Sequence, residues 1–286
     1  MILLSSGVAV AHSSVQVVLS TKMPLQGDPI QVMVKTPQPI KKVTVRLNKH
    51  PFVLFGNKAA TQFSGWLGVS RYETPGKKAL NITIEFRDQT RHNDTIPIHV
   101  GAANFKKEHI TLTPQKNKIN RNRTSRTNEN TVIRSKFNTV SPRQYSQGGF
   151  MWPVEGRVTS EFGTQRVYNN RPGAMHAGID ISRKTGAPIR ATQRGRVILV
   201  QSLLIHGKTV MIDHGYGIVS IYNHMHRMDV TPNQMVSQGD IIGTVGSTGV
   251  STGSHLHFGI SIQSVRVNPR SWIGHGINES MVDGGA

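Results

Sequence analysis

The sequence contains no cysteine among its 286 residues. Disulfide bonds, iron–sulfur clusters and thiolate zinc sites are therefore excluded, and a metal ion would have to bind histidine, aspartate or glutamate. No run of 18 or more apolar residues is present, which excludes a membrane-spanning helix of the usual kind. Aromatic residues make up 6% of the chain, whereas 28 glycines and 14 prolines indicate a loop-rich globular protein long enough for two domains.

Acidic residues are also scarce. The chain has 15 Asp and Glu against 34 Lys and Arg, a net charge of +19. Residues 1–104 carry +7, residues 105–148 carry +8 and residues 149–286 carry +4. A basic excess favours an anionic partner: nucleic acid, an anionic lipid surface or an anionic cell-wall polymer. Charge alone does not choose among the three.

Residues 1–11 form a short apolar stretch that ends in the small-x-small pattern Ala9-Val10-Ala11. We interpret this stretch as the remnant of a secretory signal that is cleaved before His12. The alternative is a first β-strand, because the basic region that opens a signal peptide is missing and the first charge is Lys22. The export route stays open.

Residues 12–104 predict a small β domain, for which we expect an immunoglobulin-like fold. Apolar and polar residues alternate in short runs that turn residues separate, as in a β-sandwich. The runs are Val15–Val17, Ile30–Val34, Val43–Leu47, Leu80–Phe86 and Ile96–Val100. No catalytic cluster is evident in this domain. Its role stays open: it could dock an envelope protein, cover a groove or act as a spacer.

Residues 105–148 differ from the rest in composition. They are rich in Asn, Thr, Ser, Arg and Gln and contain few large apolar residues. Such a segment buries too little surface to offset its ordering entropy, which predicts a basic flexible linker. A tether to an anionic polymer is compatible with the same composition.

Residues 149–278 predict a β-rich domain of short strands closed by glycine turns, followed by a tail over 279–286. Eight of the 13 histidines lie between positions 176 and 275. Three features there suggest chemistry: an H-x-x-x-D motif, an H-x-H motif and a lone histidine in a strand. Their residues are His176 and Asp180, His255 and His257, and His224.

The H-x-H motif suits a strand, in which residues i and i+2 share a face. His255 and His257 would then face one site, while Leu256 and Phe258 fill the opposite, apolar face. Two imidazoles and one carboxylate are typical of a hydrolytic zinc site with a fourth position for water, and a further histidine could move protons. The residues thus predict a metallohydrolase, but they leave open which histidine of the motif binds metal.

Motifs in the same order extend over residues 151–272. They are WPVEGRVTSEFG at 152–163, HAGIDI at 176–181, GAPI at 186–189, IDHGYG at 212–217, IYNHM at 221–225, VSQGDIIG at 236–243, GSTG at 246–249 and GSHLHF at 253–258. In these motifs the chain resembles the M23 family of zinc metallopeptidases, the lysostaphin/LytM-type cell-wall endopeptidases. The resemblance implies a LytM-like antiparallel β-sheet domain and a mainly β protein overall.

The resemblance also implies roles for individual residues. His176, Asp180 and His257 would bind Zn²⁺, and His224 and His255 would be the non-ligand pair that positions water and stabilises the oxyanion. The implied activity is hydrolysis of peptide crosslinks in bacterial peptidoglycan, in the periplasm or cell envelope or after secretion.

Other positions in these motifs have weaker assignments. His214 is expected to be structural, and Arg166 either contacts substrate or forms a salt bridge. No role is assigned to His206, His226 or His275, although His226 would share a strand face with His224.

Some members of the family lack the zinc ligands and only regulate another cell-wall hydrolase, which is the alternative function. The complete ligand set in this sequence favours catalysis. Ser254, where many relatives have proline, and Lys208, where a small amide is common, are departures that remove no ligand. Nucleic-acid binding is not expected, because no matching fold or aromatic platform accompanies the basic residues. The bond cleaved, the oligomeric state and any activation by processing stay open.

Overall fold

A computed structural model describes residues 15–273 of the chain. The interpretation of residues 1–11 as a signal, the tail over 279–286 and His275 lie outside these residues. The described helices are all too short or too polar to cross a membrane.

The N-terminal part is a β domain of seven strands. In chain order they are β1 (Gln16–Leu19), β2 (Pro29–Lys35), β3 (Ile40–Leu47), β4 (His50–Gly56), β5 (Gln62–Gly68), β6 (Gly76–Phe86) and β7 (Arg91–Val100). They pair antiparallel in the order β1-β2-β5-β4-β3-β6-β7. The alternating residues predicted to face inward, among them Val32, Val43 and Ile82, form one buried core. The immunoglobulin-like assignment itself stays a prediction.

The segment that follows is folded. It contains β8 (Lys107–Ile110), α1 (Pro114–Asn120) and α2 (Arg123–Phe137). Thr113 and Asn122 begin the two helices by accepting a backbone N–H with their side chains. The prediction of a flexible linker over 105–148 is therefore wrong for residues 107–137.

The segment is ordered because α2 has a narrow apolar stripe, which its average composition does not reveal. Ile133 and Phe137 are four residues apart, so they lie on one helix face, and both are buried. They pack on four apolar residues of the C-terminal sheet, which are Leu199, Met211, Val219 and Ile221. Two well-placed side chains thus order a polar segment.

The C-terminal part is also mainly β. Its elements are β9 (Arg157–Ser160), β10 (Gln165–Tyr168), β11 (Arg171–Met175), β12 (Ile179–Ser182), β13 (Pro188–Arg190), β14 (Gly195–Leu203), β15 (Gly207–Asp213), β16 (Ile218–Met225), β17 (Arg227–Met228), β18 (Met235–Val236), β19 (Ile241–Thr244), β20 (His255–Ile262), β21 (Val265–Val267) and α3 (Pro269–Ile273). The main sheet has the order β18-β14-β15-β16-β20-β12-β9, and β21 pairs with β20. Two small sheets, β13-β19-β17 and β11-β10-β8, flank it.

The main sheet is covered on both faces near its centre. One face bears the large core to which Tyr222, Leu256 and Phe258 belong. The other face bears α2 over part of its length. In the β16–β20 pairing Ile221 lies opposite Gly259, and Asn223 lies opposite His257. Since directly opposed residues share a face, α2 packs on the face that carries His257.

The N-terminal domain packs on the C-terminal domain near β20 and β21. Trp66 and Trp272 meet edge to face with ring centroids 4.8 Å apart, and Phe55 stacks on Tyr216 at 4.1 Å. The Gln263 side chain accepts the Val53 N–H at 2.9 Å and donates to the Val53 carbonyl at 2.9 Å. The contact is therefore both apolar and hydrogen-bonded.

Candidate metal and catalytic site

Three neighbouring strands of the main sheet carry four of the five candidate residues, and His176 lies just before the first of these strands. Asp180 on β12 is directly opposite His257 on β20, which is directly opposite Asn223 on β16. Strand alternation sends His255 and His257 to the same face, while Leu256 between them is fully buried in the core. The predicted arrangement of the H-x-H motif is therefore present.

Glycine at position 178 lets the two motifs approach. A Cβ at Gly178 would lie 2.2 Å from the Phe258 carbonyl oxygen and 3.0 Å from the His257 ring. Contacts that close do not occur between real atoms, so β12 pairs with β20 at this point only because residue 178 has no side chain. This spacing places His176 and Asp180 beside His257.

His176, Asp180 and His257 form one compact donor group. His176 Nε2 is 2.9 Å from His257 Nδ1, and these atoms lie 3.1 and 2.8 Å from Asp180 Oδ1. A tetrahedral ion with ligand bonds of about 2.0 Å requires ligand atoms about 3.3 Å apart, close to these distances. The three donors could therefore hold a metal ion, and two imidazoles with a carboxylate suit zinc.

The protonation states fit the same group. Burial lowers the pKa of His257 well below its usual range. Burial by itself would raise the pKa of Asp180, but His176, His257 and Arg166 stabilise the carboxylate and bring its pKa well below its usual range. At neutral pH the group thus offers a neutral imidazole and an ionised carboxylate, the forms that bind metal.

Surrounding residues orient the donor group. The His176 Nδ1–H donates to the Glu161 carbonyl at 2.9 Å, which turns Nε2 towards the site. Arg166 binds Oδ2 of Asp180 and also donates to Ser160 Oγ at 3.0 Å. The Ser160 hydroxyl donates to Glu108 of β8 at 2.8 Å. The structure therefore contains the salt bridge that was one of the two expectations for Arg166. The hydrogen bond of Glu108 to Ser160 was not predicted, because Glu108 lies in the segment that was predicted to be flexible.

His224 and His255 lie beside the donor group. Their ring centroids are 4.9 Å apart, and the His224 centroid is 6.3 Å from that of His257. The His224 Nδ1–H donates to the Thr248 carbonyl at 2.8 Å, and the His255 Nδ1–H donates to the Gly253 carbonyl at 2.9 Å. Each ring therefore carries its lone pair on Nε2, and His255 Nε2 is 3.8 Å from Asp180 Oδ1.

His224 is unusual in two respects. Burial, with a smaller effect of His255, lowers the pKa of His224 to about 3, so the ring is neutral at pH 7. Its backbone φ is +62°, a region that residues other than glycine seldom adopt. His226, two residues further on, lies beyond the end of β16 and is exposed.

An open groove lies over these residues. Its lining comes from two stretches of the chain, Glu108 to Leu112 and Thr159 to His255, and includes Asp180, His224 and His255. Lys116 of α1 binds the Ser251 carbonyl on the loop before His255. The segment before the C-terminal domain therefore supplies a wall of the groove.

The remaining histidines have separate surroundings. His214 is fully buried; its ring contacts the Arg194 carbonyl at 2.9 Å and Ser220 Oγ at 2.8 Å, as a structural residue would. His206 pairs with buried Glu129 of α2 at 2.7 Å. The Glu129–His206 pair has no local signature in the sequence, because the partners are 77 positions apart.

Residues 174–269 match the family model of Peptidase family M23. The C-terminal domain belongs to peptidase family M23. The resemblance seen in the motifs is thereby confirmed for this domain. The same residues include the three donors, His224 and His255.

Two relatives that the chain resembles carry different names. DD-carboxypeptidase/endopeptidase Mpg of Neisseria meningitidis is 36% identical over 118 residues, which is 41% of this chain and 27% of Mpg. Murein hydrolase activator NlpD of Escherichia coli is 37% identical over 123 residues, which is 43% of this chain and 30% of NlpD. The chain thus aligns with less than a third of either relative.

A solved structure resembles more of the chain. The crystal structure of a Pseudomonas aeruginosa protein assigned to peptidase M23 has a TM-score of 0.63 and 24% identity. It covers 88% of this chain and 95% of its own. The shared fold therefore extends well beyond the M23 domain.

Proposed function

We propose that the protein is a zinc-dependent endopeptidase that hydrolyses peptide crosslinks of bacterial peptidoglycan. The observation that carries the proposal is a complete donor group, His176, Asp180 and His257, that lies beside His224 and His255. Asp180, His224 and His255 line the open groove. A zinc ion held by the three donors would polarise a peptide carbonyl and lower the pKa of a water molecule.

The two further histidines would handle protons. Each has its Nδ1–H committed to a backbone carbonyl, so Nε2 is the atom that accepts a proton from water. Once protonated, the same Nε2 donates, either to the developing negative charge on the carbonyl oxygen or to the leaving amine. Burial keeps the His224 ring neutral before the reaction, so the lone pair on Nε2 is available.

The basic surface beside the groove supports an anionic substrate. Arg121, Arg123, Arg126 and Arg171 border a second cavity, which shares Tyr168 with the groove. No carboxylate within residues 15–273 forms an ion pair with any of these arginines. Wall peptides carry free carboxylates, and guanidinium groups bind carboxylates well. The substrate would place the protein in the periplasm or cell envelope, or outside the cell.

The domain organisation is part of the proposal. We place a β domain at 12–104 and the M23 domain at 149–278. The neighbours β1-β2-β5 and β3-β6-β7 follow the strand orders of the two sheets of an immunoglobulin sandwich, and β4 pairs with both β5 and β3. This order supports an immunoglobulin-like domain. Such a domain would suit docking of another envelope protein.

The second candidate is a noncatalytic regulator of another cell-wall hydrolase. Similarity to the activator NlpD favours it. The intact donor group favours the enzyme, because a regulator has no need of metal ligands.

The test is mass spectrometry of purified crosslinked peptidoglycan after incubation with the full chain. We expect loss of crosslinked dimers that a chelator prevents and added zinc restores. His257→Ala should abolish both hydrolysis and zinc retention, whereas His226→Ala, which removes an exposed histidine, should change neither. Intact dimers with stoichiometric zinc would favour the regulator, and full turnover by His257→Ala with zinc bound would reject the ligand assignment.

A further inference from the structure

A buried carboxylate on α2 contacts the M23 domain although it lies 45 positions before the family match begins. Glu129 is 6% exposed. Its carboxylate accepts the backbone N–H of Ile205 at 2.9 Å and that of His206 at 3.2 Å, and it binds His206 Nδ1 at 2.7 Å. Three hydrogen bonds to the turn between β14 and β15 are enough to satisfy a buried carboxylate.

That turn holds His224 in place from two sides. The His206 carbonyl accepts the backbone N–H of His224 at 3.0 Å, and the Ile205 carbonyl accepts the backbone N–H of Val250 at 2.8 Å. Val250 follows Thr248, whose carbonyl accepts the His224 Nδ1–H. The turn therefore supports both the His224 backbone and the loop that orients its ring.

His224 requires such support because of its backbone conformation. A φ of +62° is unfavourable for histidine and persists only where neighbouring contacts impose it. The hydrogen bond from His224 N–H to the turn is one of those contacts. Loss of the turn geometry would let His224 relax towards ordinary strand angles and move its ring away from the groove.

We propose that Glu129 is a positioning residue for His224, acting through the 205–206 turn. The catalytic unit then includes α2 as well as the region that matches the M23 family. The inference rests on the role proposed above for His224.

Packing alone does not account for Glu129. Ile133 and Phe137 already anchor α2 on the sheet. A buried carboxylate has a high desolvation cost unless its partners are in place, so an apolar residue would serve better for packing alone. The Glu129 carboxylate instead fixes the conformation of the 205–206 turn through its hydrogen bonds.

The experiment compares Glu129→Ala with two control variants. Ile133→Val weakens the packing of α2 without touching the turn, and Asn128→Ala changes an exposed neighbour on the helix. With a soluble crosslinked muropeptide dimer, Glu129→Ala should lower kcat about tenfold to a hundredfold, since small displacements of a catalytic group have effects of this size. KM should stay within about twofold, and zinc should remain stoichiometric because His224 is not in the donor group.

A second readout does not depend on turnover. Long-range ¹H–¹⁵N NMR of the zinc-loaded protein reports whether His224 keeps its proton on Nδ1. We expect the Nδ1–H form in the wild type and in both controls, and its loss or broadening in Glu129→Ala. If Glu129→Ala does not fold, Glu129→Gln and His206→Ala, which remove fewer of the bonds, should give smaller shifts in the same direction.

The outcomes separate the two proposals. Wild-type kcat and an unchanged His224 signal in Glu129→Ala would overturn the positioning role. An equal loss of kcat in Ile133→Val would also overturn it, by assigning the effect to helix packing. If the zinc-loaded wild type hydrolyses no crosslink, the proposed function fails, and the His224 signal alone then decides the positioning role.

Discussion

Backbone carbonyls orient the histidines of the groove. His176, His224 and His255 each donate an Nδ1–H to a main-chain oxygen, those of Glu161, Thr248 and Gly253. Each ring is thereby held in one tautomer with Nε2 available. Because main-chain atoms are fixed by the fold, the loops determine the chemistry of these rings, and sequence spacing alone cannot show it.

His214 provides a contrast at the same scale. It is buried outside the groove, and burial lowers its pKa to about 4. Since the pKa in the unfolded chain is about 6.5, the unfolded state binds a proton first as the pH falls. Stability due to the neutral ring is complete above about pH 6.5 and is lost as the pH falls towards 4.

We therefore expect His214→Gln to flatten the pH dependence of stability. Urea unfolding at pH 7.5, 6.0 and 4.5 measures it. Between pH 7.5 and 4.5 the wild type should lose up to about 3 kcal/mol more than the variant, because only the unfolded chain gains a proton over about two pH units, at about 1.4 kcal/mol for each. Parallel stability curves for the two proteins would contradict this assignment.

At the scale of elements, β4, β5 and α2 were not predicted from the sequence, for related reasons. β4 and β5 lack a clear alternation because apolar residues on their outer side, such as Phe55 and Trp66, pack on the C-terminal domain. α2 is polar except for the stripe that meets the sheet. The alternation of apolar and polar residues along a segment reflects burial within one domain. An element that also packs on another domain therefore lacks a regular alternation and is predicted as a loop or a linker.

The strands β12 and β20 could be predicted from the sequence, because each shows a clear alternation of residues within a few positions. Asp180, His255 and His257 stand out in these strands as polar residues beside apolar ones. Their pairing depends on Gly178. We expect Gly178→Ala to lower the free energy of unfolding by about 1–3 kcal/mol, the range found for overpacking, and to weaken zinc binding. Calorimetry and zinc titration measure the two effects.

Gly253→Ala is the matched control, because a Cβ at Gly253 would meet no atom within 4 Å. Its stability should stay within about 0.5 kcal/mol of the wild type. Unchanged zinc affinity in Gly178→Ala would show that the approach of β12 to β20 is not needed for the donor group.

At the scale of the whole molecule, the sequence predicts a mainly β protein and the M23 family, and both are confirmed. The roles of the five site residues stay predictions, although the structure brings all five together. Composition could not show where the basic residues face. Arg171 borders the arginine-lined cavity, whereas Arg134, equally basic and exposed, does not.

This difference permits a test of substrate attraction. Arg171→Gln should raise KM for a muropeptide with free carboxylates about twofold to fivefold, since an exposed ion pair contributes up to about 1 kcal/mol. Arg134→Gln removes the same charge and should leave KM unchanged. Added salt should raise KM for the wild type by screening. Equal effects of the two variants would mean that only net charge matters.

The separation of the site residues along the chain bears on how the protein matures. His176 meets His257 across 81 positions, and Glu129 meets His206 across 77. Each contact requires a long loop to close. The entropy lost on closing the loop lowers the stability of the partly folded chain until the contact has formed. A chain that has formed only local hairpins thus has no groove. The hydrolytic activity proposed above should therefore appear in a single late step, when folding is complete.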